Sequence, residues 1–239
     1  MDGFSYNNIF DTKGIEYLII IAFLLLIIPF WFIINKKASV SVQVKKTIGI
    51  LSEDILKIPL GLYYSVNHAW THLEKSGIAK VGLDDFLIHV SGEVKFRELK
   101  KPGNFINKGE ALADIDQNGK LLQIYSPISG RVIKTNKMLY ATPGIVNEDP
   151  YDRGWIYEIQ PSEWMAETSS YYVGNEAVAW VKNEIVKFRD FLALSMKKYS
   201  PETSMLMLQD GGELINKPLS ELPDEVWQDF QKSFLNRSF

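Results

Sequence analysis

The chain has 239 residues, enough for one sizeable core plus a smaller appendage. A formal net charge of −3 gives no basic footprint for nucleic acid. The absence of cysteine excludes disulfides, thiolate metal sites and thiol catalysis.

Hydrophobic residues make up 46% of the chain, but an N-terminal run inflates that figure. Tyr17 to Ile34 carries no charge and is almost wholly Leu, Ile and Phe. At 1.5 Å per residue it spans about 27 Å, close to the hydrocarbon thickness of a bilayer. Pro29 would break a soluble helix but is tolerated in a membrane one. Tyr17 and Trp31 lie near the ends, where aromatic belts sit. A signal peptide would want a basic start, whereas residues 1–16 set Lys13 against Asp2, Asp11 and Glu16. Ile33-Ile-Asn-Lys-Lys37 has the form of a stop-transfer end. A buried core helix would show a polar face, and none exists. The expectation is a single-span anchor in residues 1–35. Lys36, Lys37, Lys45 and Lys46 follow the span, so the positive-inside rule puts the N-terminus outside and the soluble domain in the cytoplasm.

Residues 36–60 read as a juxtamembrane linker. Ala38 to Val44 alternates like a strand or serves as an extended tether, and Leu51 to Lys57 suits a short helix. Residues 61–162 are dense in turns: Gly61, Glu74 to Gly77, Lys101-Pro-Gly103, Lys108-Gly109 and Asn118-Gly119. That density predicts an all-β sandwich or flattened barrel. Asn118-Gly119 sits between Ala111 to Asp116 and Leu121 to Tyr125, two runs that read as strands. The pair is the strongest short-range signal for a type I′ hairpin, because both central residues need positive φ.

His68, His72 and His89 are the only imidazoles. His68 and His72 have i, i+4 spacing that would suit a metal on a helix. The segment Leu62 to Leu73 reads better as strand and turn, which makes these packing or surface histidines rather than ligands. No metal is expected, and no catalytic constellation is present: there is no phosphate loop, nucleophile elbow or Ser/His/Asp set.

Beyond Pro161 the period changes. Val178, Val181, Ile185, Phe188 and Leu192 recur at 3 and 4, predicting an amphipathic helix from about Asn175 to Lys198. Ser200-Pro201 stops it, Met205 and Met207 read as gap-filling core, and Asp210-Gly211-Gly212 makes a turn. Pro223 opens a second helix carrying Val226, Trp227, Phe230 and Phe234. Residues 163–239 are thus a helical extension whose apolar stripes either dock on the β core or meet a partner. The fold class is mainly β with a C-terminal α part.

Several runs together resemble the H protein of the glycine cleavage system. They are His68-Ala-Trp70, Val81 to Phe86, Gly92-Glu-Val94, Pro102-Gly103, Lys108-Gly-Glu110, Tyr125 to Gly130 and Val146 to Tyr151 with Gly154-Trp155. The likeness covers roughly residues 62–160 and implies a lipoyl-type domain displaying a lysine on a hairpin. It places His68 and Trp70 in the first strand of the fold and Trp155 in a strand of the β core. Counting back from Pro127 puts Gly119 where the family carries its lipoyl lysine, with Lys120 one place later. A one-residue slip in a strand turns the side chain to the other face. The preferred reading is a membrane-anchored, non-lipoylated H-like interaction or assembly module, with no cofactor and an unidentified protein partner. The alternative is a lipoyl carrier of the aminomethyl group, modified on Lys120. Either way the family resemblance implies a carrier rather than a catalyst.

Overall fold

The computed structural model describes residues 17–29, 50–51, 56–199, 214–215, 217–220 and 222–237. Two compact units divide the chain, Met1–Ile48 and Gly49–Phe239. In the first, 17–29 is helical with every residue exposed. A helix of that length rises about 20 Å, and among the described residues no helix is long and apolar enough to cross a membrane. Residues 30–34, the rest of the expected span, lie outside the described residues. So do Lys36, Lys37, Lys45, Lys46 and the run Ala38 to Val44.

The second unit is mainly β. Its strands in chain order are β1 Ile50–Leu51, β2 Tyr63–Tyr64, β3 Ala69–Leu73, β4 Ala79–Leu83, β5 Lys95–Glu98 and β6 Phe105–Ile106. They continue as β7 Ala111–Gln117, β8 Lys120–Tyr125, β9 Gly130–Thr135, β10 Tyr157–Pro161, β11 Tyr172–Val173 and β12 Leu214–Ile215. Seven form an antiparallel sheet in the order β11-β2-β3-β4-β10-β9-β6, three form the sheet β5-β7-β8, and β1 pairs with β12. Leu51 is therefore in a strand and 56–59 is irregular, so the expected helix from Leu51 to Lys57 does not form where the chain is described. Leu51 is instead paired with Leu214.

Alternation dictates which faces are buried. In β10, Tyr157 and Ile159 point into the core while Glu158 and Gln160 are more open. In β9, Gly130 and Val132 face inward against them. Gly130 allows the close crossing, since a Cβ there would lie 2.2 Å from the Gln160 carbonyl oxygen. Opposite β8, the register of β7 shifts between Ala111 and Ala113. This bulge buries Leu112 and Ala113 together.

The short helix Asp85–Ser91 follows β4, capped by Asp84, whose Oδ1 accepts the Leu87 N–H at 2.9 Å. His68 departs from expectation. It is not in a strand but in the turn before β3, with φ 61. Trp70 is in β3, the second strand of the unit's sheet rather than the first. Trp155 also departs: it lies two residues before β10 and is half-buried, with the Lys134 ammonium 5.2 Å from its ring.

The long helix runs Asn175–Tyr199, and a second, Asp224–Phe230, continues into a π turn Gln231–Leu235. Their apolar stripes are continuous with the β core. Phe188, fully buried, meets Phe86 of the short helix at 5.7 Å, Phe230 at 5.7 Å and Phe234 at 5.8 Å between ring centres. Leu192, Val226 and Trp227 are buried in the same cluster. Met205, Met207 and Asp210 to Gly212 lie outside the described residues.

Because Phe188 joins the helices to the β body, Phe188→Ala removes contacts on both sides. It is expected to cost about 3–5 kcal/mol and to lower Tm by roughly 10 °C in a single transition. A circular-dichroism melt that splits into two transitions, with the β part unshifted, would show that the helices melt independently.

Candidate functional site

The hairpin β7–β8 closes on the pair Gln117 and Lys120. Asn118 and Gly119 have φ 54 and 92, the two positive values a type I′ turn requires. Asp116 Oδ1 accepts the Gly119 N–H at 2.8 Å and fixes the turn. Gly119 is exposed, and a Cβ built on it meets nothing within 4 Å. The tip is open, but its outermost residue has no side chain.

Lys120 is the first residue of β8, beside the tip. Its Nζ donates to the carbonyl oxygens of Leu222 at 2.5 Å and Ser220 at 3.2 Å, and lies 5.9 Å from the centre of the Trp227 ring. Lipoyl attachment needs a primary amine that projects from the turn into solvent. Gly119 offers none, and the Lys120 amine is engaged by the extension.

The Ser126-Pro-Ile-Ser-Gly130 run that follows β8 is held from the start of the extension. Glu167 accepts from the Ser129 N–H at 2.7 Å and the Ser129 hydroxyl at 2.5 Å, and the Tyr171 hydroxyl donates to the Pro127 carbonyl. A buried charge network joins the turn before β3 to the long helix. His68 Nδ1 is 2.8 Å from Asp84 Oδ2, and its Nε2 is 3.7 Å from Glu184 Oε2 on the long helix. Arg237 reaches Glu184 at 2.8 Å, and Lys187 pairs with its other oxygen at 2.8 Å. The imidazole is stacked between Phe86 at 4.6 Å and Trp180 at 5.1 Å.

Burial works against a charged ring at His68, but the Asp84 carboxylate, helped by Glu184, outweighs it and raises the pKa. Burial also opposes the Glu184 carboxylate, yet His68, Lys187 and Arg237 hold its pKa down at about 2. Sequence reasoning missed Glu184. The signal was available: Glu184 falls at i+3 from Val181 and i−4 from Phe188, inside the apolar stripe.

The other histidines are not brought to His68. His72 is exposed in β3, its Nδ1 3.2 Å from the Gly61 carbonyl oxygen. His89, in the short helix, pairs with Asp85 at 3.1 Å. Among the described residues no group of three or more His, Asp or Glu is placed to hold a metal ion.

Taken together, the two sheets, the short capped helix and the hairpin anchored by its Ser-Pro-x-Ser-Gly return define a lipoyl-type hairpin domain. The sequence pattern of the family described as "Glycine cleavage H-protein" matches residues 62–184, just over half of the chain, and the chain belongs to that family. A probable glycine cleavage system H protein of Thermococcus gammatolerans is 36% identical over 106 residues, covering 44% of this chain and 78% of that protein. The H protein of Corynebacterium jeikeium is 31% identical over 124 residues, 50% of this chain and 98% of its own length. A crystal structure of a glycine cleavage system H protein from Mycobacterium marinum aligns over 44% of this chain and 87% of that chain. The alignment has 24% identity and a TM-score of 0.41.

The charge network sets a pH dependence. His68 has a raised folded-state pKa, so its contribution is complete below the ordinary value of 6.5 and is lost as pH rises through the raised one. Glu184 has a lowered one, so its contribution is present above 4.5 and is lost as pH falls toward about 2. Stability is therefore expected to peak between those limits. His68→Gln should flatten the alkaline decline of Tm measured from about pH 5 to 9. An alkaline limb as steep as in the wild type would assign that decline to other groups, His89 with Asp85 first.

Proposed function

We propose that this chain is an H-family protein that acts as an interaction or assembly module, tethered to a membrane through residues 17–34 and not lipoylated. The observation that carries this reading is the hairpin tip: glycine stands at the family's attachment position, and the adjacent Lys120 amine is engaged by two carbonyl groups. The tether is supported by the uncharged run 17–34 and by the helical, exposed residues 17–29. The lysines after the run support a cytoplasmic soluble unit.

The second reading is a carrier of the aminomethyl group in glycine cleavage, with covalent lipoate on Lys120. The relatives favour it: those compared above are named as glycine cleavage system H proteins, and the likeness to them runs through the hairpin and beyond. On similarity alone the carrier has the stronger support. The geometry of Lys120 is what weighs against it.

Intact mass separates the two. Full-length protein co-expressed with a lipoate ligase and free lipoate is expected to keep its unmodified mass. A lipoyl adduct mapped to Lys120 would establish the carrier and end the module reading. In the Gly119→Lys variant the open tip gives the new amine room, while the positive φ costs about 1–2 kcal/mol. Partial modification of that variant is expected, at the new residue alone.

Topology is checked separately by a reporter fused after Phe239. A fluorescent-protein fusion should be bright and a phosphatase fusion inactive. Strong phosphatase activity would place the C-terminal unit on the other side of the membrane.

A further inference from the structure

We infer that the hairpin face presented by β8 is an intramolecular docking site, occupied by residues 217–220 and 222–236 of the same chain, with Lys120 as its clasp. The inference rests on the non-carrier reading and extends it: the face on which the resemblance implies an acceptor lysine is closed to other proteins. Any partner must then engage a different surface.

β8 is the outer strand of the three-stranded sheet β5-β7-β8. Such an edge exposes unpaired N–H and C=O groups and invites another strand. Here the extension meets the edge at Gln123 and takes up the side chains at either end of the strand. At the tip end, the Lys120 Nζ donates to the carbonyl oxygens of Ser220 and Leu222. Midway, the Gln231 side-chain amide imitates a neighbouring strand. Its Oε1 accepts the Gln123 N–H at 2.8 Å, and its Nε2 donates to the Gln123 carbonyl oxygen at 3.1 Å. At the far end, the Tyr125 hydroxyl donates to Asn236 Oδ1 at 3.0 Å.

The segment that receives Lys120 is itself fixed. The Lys217 and Leu219 N–H groups donate to the carbonyl oxygens of His89 and Val90 at 2.8 and 3.0 Å. The indole N–H of Trp227 donates to the Leu219 carbonyl oxygen at 2.7 Å. Leu219, Leu222 and Trp227 are buried. The carbonyl oxygens of Ser220 and Leu222 thus form a preset acceptor pair beside the Trp227 ring, and a flexible lysine stem one residue from the turn reaches them. A lysine at position 119, at the apex, would start from the open side of the turn, where no protein atom lies within 4 Å of a Cβ. The one-residue offset therefore separates a displayed amine from a captured one.

Two measurements on the full chain test this. In the first, wild-type protein is treated with a limiting amount of an amine-acetylating N-hydroxysuccinimide ester, and peptide masses give site-by-site rates. Lys120 should label at least about ten-fold more slowly than exposed Lys101, the protection expected of hydrogen bonds from a charged donor. Equal rates would overturn the clasp. In the second, Lys120→Met keeps the apolar stem and removes the donors. Amide hydrogen exchange should then quicken in 217–236 and stay unchanged in β4 and β10. Unchanged exchange in 217–236 would overturn the inference.

These outcomes are distinct from failure of the non-carrier reading. A Lys120 that is never lipoylated but acetylates as fast as Lys101 defeats the clasp alone. A lipoylated Lys120 in the wild type defeats both.

Discussion

A charge cannot be buried alone, and His68 shows how this chain meets that constraint. Its imidazole comes from the turn before β3, Asp84 from the cap of the short helix, Glu184 from the long helix and Arg237 from the end of the described chain. Removing one partner of a buried ion pair typically costs about 3–5 kcal/mol. The whole set comes together only when the β body and the extension are assembled. The positive φ of His68 fits the same picture: backbone strain persists where the surroundings over-determine it. Asn67 beside it points the same way, its Nδ2 donating to the carbonyl oxygens of Leu235 at 2.5 Å and Arg237 at 3.0 Å.

With the extension fixed, the state of the hairpin follows. A lysine on an isolated hairpin is a solvated cation. In this chain the 217–222 segment brings two carbonyl oxygens and an indole face to it. The extension that completes the core is also what engages the lysine. The scaffold from β3 to β10 is thereby joined to a segment that reaches the hairpin.

Similarity and geometry thus pull toward different functions, and they speak of different residues. The relatives align over residues that build the sheets, the short helix and the return loop. Those residues determine whether a hairpin is displayed. Whether an amine is displayed depends on a single register position and on a segment outside the family match, since residues 217–236 lie beyond 184. Membership of the family therefore fixes the scaffold and leaves the cargo to the local chemistry of the turn.

The sequence by itself determined the features set by short-range rules. Asn118-Gly119 specified its turn, because few residues tolerate two successive positive φ values. The 3–4 period from Val178 to Leu192 specified the long helix. It also showed glycine at the attachment position, since counting residues needs no fold. What it could not show were the contacts between distant segments: Glu184 with His68, Gln231 with the edge of β8, Ser220 and Leu222 with Lys120. The family likeness placed His68 and Trp155 in strands, whereas His68 takes a positive φ in the turn before β3 and Trp155 stops two residues short of β10. Local backbone preference is written residue by residue, whereas the partner of a side chain is decided only when the whole core closes.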